Sequence, residues 1–120
     1  MSNSRDIIIL KKLIKYSNQI DETIKRFDLD LNKFNDDFVA KNAISMCILQ
    51  IGELSGKLSD SFKSAYDKMP WRDIISLRNR TAHAYETVDT DYLWTIAIEN
   101  VPELESYCKK ILIEIENNEE

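Results

Sequence analysis

The chain has 120 residues, of which 43% are hydrophobic, and a formal net charge of −5 at pH 7. This length suits one compact core and is short for two, so residues 1–120 are expected to form a single domain. Only two glycines and two prolines are present. Because turn residues are scarce and good helix formers are plentiful, the composition predicts an all-α fold.

The amino-terminal apolar run is too short for a signal core or a membrane span, since Ile7–Leu10 is followed at once by Lys11 and Lys12. We therefore expect a cytoplasmic protein that does not associate with membranes. Cys47 and Cys108 lie far apart, each within a hydrophobic stripe. Buried free thiols suit this placement better than a disulfide or a metal pair.

Hydrophobic periodicity and turn signals predict the elements in chain order. Pro70 should open a short helix, capping side chains at Thr87–Thr90 should start the last one, and Pro102 should kink it. The predicted helices span about residues 4–27, Asn35 to Phe62, 71–84, and from about 90 towards the carboxyl end. Together they predict an antiparallel four-helix bundle with a short helix that carries unusual polar residues.

Gly52 and Gly56 lie one turn apart on the second predicted helix. Missing side chains at this spacing would let another helix approach closely, so a packing role is favoured over ligand binding.

The acidic net charge argues at first against nucleic acid, because phosphate binding usually leaves a basic footprint. The distribution of charge weakens that argument. Residues 1–56 are neutral, residues 57–85 carry +3 and residues 86–120 carry −8. Positive charge is thus concentrated in one segment, although chance clustering on solvated helix faces would give the same pattern.

That basic segment contains the single histidine of the chain, within the run Leu77 to Tyr85. A lone histidine excludes zinc sites built on several His side chains. The sequence has no Gly-rich phosphate loop, no nucleophile elbow and no motif for a known cofactor, so we expect neither metal nor cofactor.

RNA transesterification remains possible with so few groups, because the ribose 2′-hydroxyl of the substrate is itself the nucleophile. The protein then needs a proton-transfer group with a near-neutral pKa and a fixed positive charge for the phosphorane oxygens. His83 and Arg78 suit these two roles. A lone histidine on a helix is also commonly a surface or capping residue, so spacing alone does not establish the site.

Helix geometry separates the two side chains, since positions 78 and 83 lie about 7.5 Å apart along the axis and roughly 140° apart around it. Arg78 and Tyr85 nearly align, and Asn79 lies one turn before His83, where its amide could orient the imidazole. Either the helix ends near His83 and bends it inward, or two chains bring their motifs together. A two-fold dimer would supply two histidines, one as base and one as acid.

The run Arg78-Asn79-Arg80-Thr81-Ala82-His83-Ala84-Tyr85 resembles the R-x-x-x-x-H motif, with a following x-Y, of the HepT-like toxins in the HEPN superfamily. The flanking segments are similar to that family from about residue 40 to 107: they are Ile51-Gly52-Glu53, Pro70-Trp71-Arg72, Leu93-Trp94 and Pro102-Glu103-Leu104.

The resemblance implies a homodimeric helical bundle and a metal-independent endoribonuclease of a type VII-like toxin–antitoxin system. Arg78 and His83 would be catalytic, and Asn79 and Arg80 would bind the RNA substrate. A minimal nucleotidyltransferase antitoxin would transfer AMP to Tyr85, which places bulk and negative charge beside the phosphate site. The alternative is a non-catalytic HEPN dimer that binds nucleotide or holds the nucleotidyltransferase, and a helical scaffold without a site is a third possibility.

Overall fold

The computed structural model describes residues 4–86 and 89–118, and within these ranges it contains helices and turns but no strand. The all-α class predicted from composition is therefore confirmed. The helices are α1 (Ser4–Arg26), α2 (Leu31–Asp36), α3 (Phe38–Ser55), α4 (Asp60–Ala65), α5 (Trp71–Glu86), α6 (Thr90–Thr95) and α7 (Val101–Asn118), with a π-helical turn at Ile96–Asn100. Of the helices described, none is long and apolar enough to cross a membrane.

The second helix is shorter than predicted at both ends. Asp37 stops the preceding helix and caps α3, because its carboxylate accepts hydrogen bonds from two backbone N–H groups of the first turn at 3.0 and 3.2 Å. At the other end, Ser59 caps a separate helix by accepting a hydrogen bond from the N–H of Phe62 at 3.2 Å. The prediction of one helix from Asn35 to Phe62 was wrong because hydrophobic periodicity continues across both caps.

The last helix changes its winding just before Pro102. A π-helical turn at Ile96–Asn100 joins α6 to α7, and its wider loop accommodates a proline that has no N–H to donate and whose ring crowds the preceding turn. The structure thus has a widened turn directly before Pro102, and the predicted kink stays a prediction. Part of the predicted capping segment, residues 87 and 88, lies outside the described residues. The cap of α6 is Asp89, whose Oδ1 accepts a hydrogen bond from the N–H of Tyr92 at 3.2 Å.

The closest packing among the described elements brings α5 against α3, α3 against α1 and α1 against α7. Helix α3 runs antiparallel to α1 and to α5, because residues near its start contact the later parts of these helices and residues near its end contact their earlier parts. One cluster of buried apolar side chains, from Ile9 to Ile115, fills the space between these helices. This arrangement establishes antiparallel neighbours for α3, and the complete four-helix bundle stays a prediction.

Both cysteines are buried and free, as predicted. Burial raises the pKa of the Cys47 thiol and raises that of Cys108 to about 12, because the apolar surroundings disfavour a thiolate. The two thiols therefore act as small apolar side chains of the core.

Candidate functional site

Helix α5 carries every site residue that the sequence predicted. The opposite face of this helix is buried and holds it in place. That buried face consists of Trp71, Ile74, Leu77, Thr81 and Ala84. The indole N–H of Trp71 also donates a hydrogen bond to the carbonyl oxygen of Tyr66 at 2.9 Å, which anchors the start of the helix. The motif side chains are thereby displayed on a rigid element, as a site that must hold its geometry requires.

The helix continues three residues beyond His83, to Glu86. The possibility that it ends near His83 and turns the imidazole inward is therefore wrong. Arg78 and His83 are both exposed, and they remain on different sides of α5. Within one chain the two groups do not converge on a single point, which leaves the two-chain arrangement as the remaining prediction.

Arg78 lies on the side of α5 that faces α3. Its Nε is 3.9 Å from Oε2 of Glu53, and both side chains are more than half exposed, at 54% and 55%. Its Nη1 also donates to Oδ1 of Asn79 at 3.4 Å. An exposed pair at this distance contributes little free energy, so the guanidinium can exchange Glu53 for a phosphate at small cost.

Gly52 allows α5 to approach α3 at the position of Arg78. A Cβ atom added to Gly52 would lie 2.6 Å from the backbone N of Arg78, closer than real Cβ atoms are found. The prediction that a missing side chain on this helix serves close packing is confirmed at Gly52. At Gly56 an added Cβ would make only ordinary contacts, of which the nearest is 3.4 Å.

Tyr85 lies on the same side of α5 as Arg78, opposite Asn42 of α3. It is 44% exposed, and its hydroxyl donates a hydrogen bond to Oδ1 of Asn42. The partly exposed phenol thus lies at the boundary between α3 and α5. Neither Tyr85 nor Arg78 lines the groove on the other side of the helix.

A groove of about 400 Å³ separates α5 from the start of α6. It is lined by Asn79, Arg80, His83, Ala84, Asp89 and Tyr92. The guanidinium of Arg80 lies over the Tyr92 ring, with its carbon Cζ 5.4 Å from the ring centroid. Cation–π attraction operates at this distance. The structure therefore brings His83 together with both residues that we expect to bind substrate.

The phenol of Tyr92 lies under this arginine. Burial raises its pKa, and the nearby charge of Arg80 lowers it by a smaller amount. The hydroxyl is buried and makes no hydrogen bond within the described part of the chain. Tyr92 thus contributes an uncharged aromatic wall to the groove.

Comparison with known protein families gives a match over residues 13–111 to the family described as "Ribonuclease HepT-like". The chain belongs to this family. The resemblance deduced from the motif and its flanking segments is confirmed, and the match extends into α1, where the sequence had agreed only in pattern.

Individual relatives agree with the HepT-like assignment. A protein of Methanocaldococcus jannaschii named "Putative RNase" is 29% identical over 103 residues, which cover 85% of this chain and 93% of the relative. A protein of Thermococcus cleftensis named "Probable ribonuclease HepT" is 29% identical over 80 residues, covering 63% of this chain and 73% of the relative. No solved structure gives a significant match.

Sequence reasoning missed three residues that the structure places beside the candidate site residues. Asn42 had no motif of its own, and its contact with Tyr85 spans 43 positions. Asp89 was noted only within a capping segment, and Tyr92 was passed over because the apolar stripe of the last helix begins at Leu93. The available signal for Asp89 and Tyr92 was an acidic and an aromatic residue so close after the motif. Within residues 4–86 and 89–118, no three His, Cys, Asp or Glu side chains form a group that could hold a metal ion.

Proposed function

We propose that this chain is an endoribonuclease toxin that cuts RNA without a metal ion, and that Arg78 and His83 are its catalytic residues. The observation that supports the proposal best is the exposure of both side chains on a rigid helix of a HepT-like fold. The guanidinium would stabilise the phosphorane oxygens, and the imidazole would transfer a proton. The cytoplasmic location expected from the sequence stays a prediction.

In this mechanism, one imidazole removes the proton of the ribose 2′-hydroxyl, and the resulting oxygen attacks the adjacent phosphorus. The bond to the 5′-oxygen breaks as a second imidazole protonates that oxygen. The products are a 2′,3′-cyclic phosphate and a free 5′-hydroxyl. Since the chain has one histidine, the two imidazoles come from two copies of His83.

We expect purified protein to cleave RNA in the presence of EDTA and to leave 2′,3′-cyclic phosphate ends, because the proposed groups supply both charge and proton transfer. Mass spectrometry of the fragments reads the ends directly. An oligonucleotide with a 2′-deoxyribose at the cleaved position serves as the control and should stay intact. Activity that is lost in EDTA and restored by a divalent metal would reject the mechanism.

We propose that two copies meet through the α3–α5 face, which comprises Phe38, Asn42, Met46 and Glu53 of α3 with Arg78, Ala82 and Tyr85 of α5. Phe38 and Met46 are 72% and 56% exposed, although both are large and apolar. Burial of such side chains against a second copy is favourable. Ala82 is small and half-buried and permits close approach, and His83, the next residue of α5, would lie at the edge of this face, where both copies can reach one phosphate.

Met46→Glu is expected to convert a dimer into a monomer, since a carboxylate in the buried centre of an interface loses its hydration without a partner. Light scattering at micromolar concentration gives the mass. The matched control is Ile113→Glu, because Ile113 is 58% exposed on α7, away from the α3–α5 face. A wild-type monomer would overturn the dimer, and a dimeric Met46→Glu variant would overturn this interface.

Tyr85 is the proposed acceptor of AMP from a minimal nucleotidyltransferase antitoxin, and its exposed ring and ordered hydroxyl support this assignment. The attached phosphate would lie beside Arg78 and compete for its charge. Co-expression with its minimal nucleotidyltransferase should add AMP to the wild type and not to Tyr85→Phe, as intact mass will show. Neutralisation of toxicity with Tyr85 unmodified would contradict this control.

A further inference from the structure

The groove between α5 and α6 includes Asp89 and Tyr92, to which neither the proposed catalysis nor the α3–α5 face gives a role. Its volume of about 400 Å³ is in the range of small-ligand sites, about 300–1,000 Å³. Ala84 and the Tyr92 ring give it apolar walls, whereas Asn79 and His83 lie towards solvent. A flat, partly polar group fits such a shape better than a phosphate alone.

Opposite charges flank the groove. Arg80 is exposed, and its nearest polar contact is weak, with Nη1 at 3.5 Å from Oγ of Ser76. Asp89 caps α6 through Oδ1. Within the described part of the chain Oδ2 receives no hydrogen bond, so this oxygen can accept one from a ligand. The guanidinium offers donors and the carboxylate offers an acceptor, so the complementary ligand carries acceptors on one edge and donors on another.

We propose that this groove binds a guanine base of the RNA, next to the phosphate that is cut. Guanine presents O6 and N7 as acceptors, which arginine pairs with, and N1–H and N2–H₂ as donors, which a carboxylate accepts. Adenine replaces the O6 acceptor with a donor, which a guanidinium cannot accept. The inference rests on the proposed function, because the position of His83 in the groove is what places the base near the reacting phosphate.

Binding can be measured without cleavage on 2′-O-methyl pentanucleotides, since the methyl group blocks the nucleophile. The probes are four labelled uridine pentamers with guanine, adenine, cytosine or uracil at the centre, compared by fluorescence anisotropy. Wild-type protein should favour the guanine probe. A good polar base contact discriminates by about 1–3 kcal/mol, which corresponds to about 5- to 150-fold in affinity.

Asp89→Asn is the decisive variant, because asparagine caps a helix as well as aspartate does. Its amide NH₂ would meet the donors of guanine, so the guanine preference should disappear while the fold persists. Asp91→Asn is the matched control, since Asp91 is exposed two residues further on and outside the groove. It removes the same charge and should leave the preference intact.

Equal binding of the four probes by the wild type would overturn the inference, as would a guanine preference that survives Asp89→Asn. The ribonuclease proposal fails separately. Guanine-selective binding without cleavage of ordinary RNA would retain the groove as a base site and reject the catalysis. Cleavage without base preference would retain the catalysis and reject the groove as a base site.

Discussion

His83→Ala is expected to lower the rate of RNA cleavage by about 10²–10⁴-fold, the usual contribution of a positioned proton-transfer group. RNA affinity should change much less, because Arg78, the proposed contact to the phosphate, stays in place. The imidazole is exposed on α5, opposite the buried face, so folding and dimerisation should persist. Single-turnover cleavage and filter binding on the same preparation separate the two effects.

Arg78→Ala provides the contrast, because its charge contacts the phosphate in the ground state and in the transition state alike. Binding and cleavage should weaken together, and the loss of affinity should shrink as salt rises. Arg72→Ala is a matched control, since Arg72 is exposed in the first turn of the same helix. A dimeric His83→Ala variant that cleaves RNA at the wild-type rate would reject His83 as a catalytic residue, whereas a wild-type dimer that binds RNA without cleaving it would favour the non-catalytic binding module.

The elements that the sequence predicted well are those with a strong local cause. The apolar face of α5 and its start at Trp71 follow from periodicity and from Pro70, and the structure places the helix at Trp71–Glu86. The motif residues were identified by their order along the chain, which family membership supports. Local pattern therefore located the segment that carries the candidate residues.

The errors came from signals that apolar periodicity masks. Asp37 and Ser59 begin new helices, because their side chains accept hydrogen bonds from backbone N–H groups. The apolar pattern that includes Ile44, Leu58 and Phe62 shows no break at these two caps. The π-helical turn before Pro102 likewise depends on how the chain absorbs a missing donor, which proline alone does not specify.

The groove and the Asn42–Tyr85 contact could not be predicted, because each joins residues from different helices. Asp89 and Tyr92 lie beside Arg80 and His83 only because α6 packs against α5. No periodicity within one helix encodes that packing. The basic charge of residues 57–85 pointed to the segment that carries the candidate residues, but it did not indicate the acidic and aromatic wall opposite.

Gly52→Ala tests how far the position of Arg78 depends on helix packing. The added Cβ would lie 2.6 Å from the backbone N of Arg78 and 3.2 Å from its Cα, so two helix backbones must separate. Overpacking of this kind costs about 1–3 kcal/mol, which exceeds the gain of about 1 kcal/mol in helix propensity when alanine replaces glycine. We expect a net loss of stability together with slower cleavage, because α5 moves with Arg78.

Gly56→Ala is the matched control, one turn further along. Its added Cβ would lie 3.4 Å from the carbonyl oxygen of Glu53 and 3.8 Å from Cγ2 of Ile75, which are ordinary contacts. The backbone of Gly56 is already right-handed helical, with φ −66° and ψ −18°. Here the propensity gain should prevail, and the midpoint of urea unfolding should stay the same or rise. The close approach of α3 and α5 at Arg78 is wrong if Gly52→Ala unfolds at the same urea concentration as Gly56→Ala, since a backbone clash is expected at residue 52 and not at residue 56.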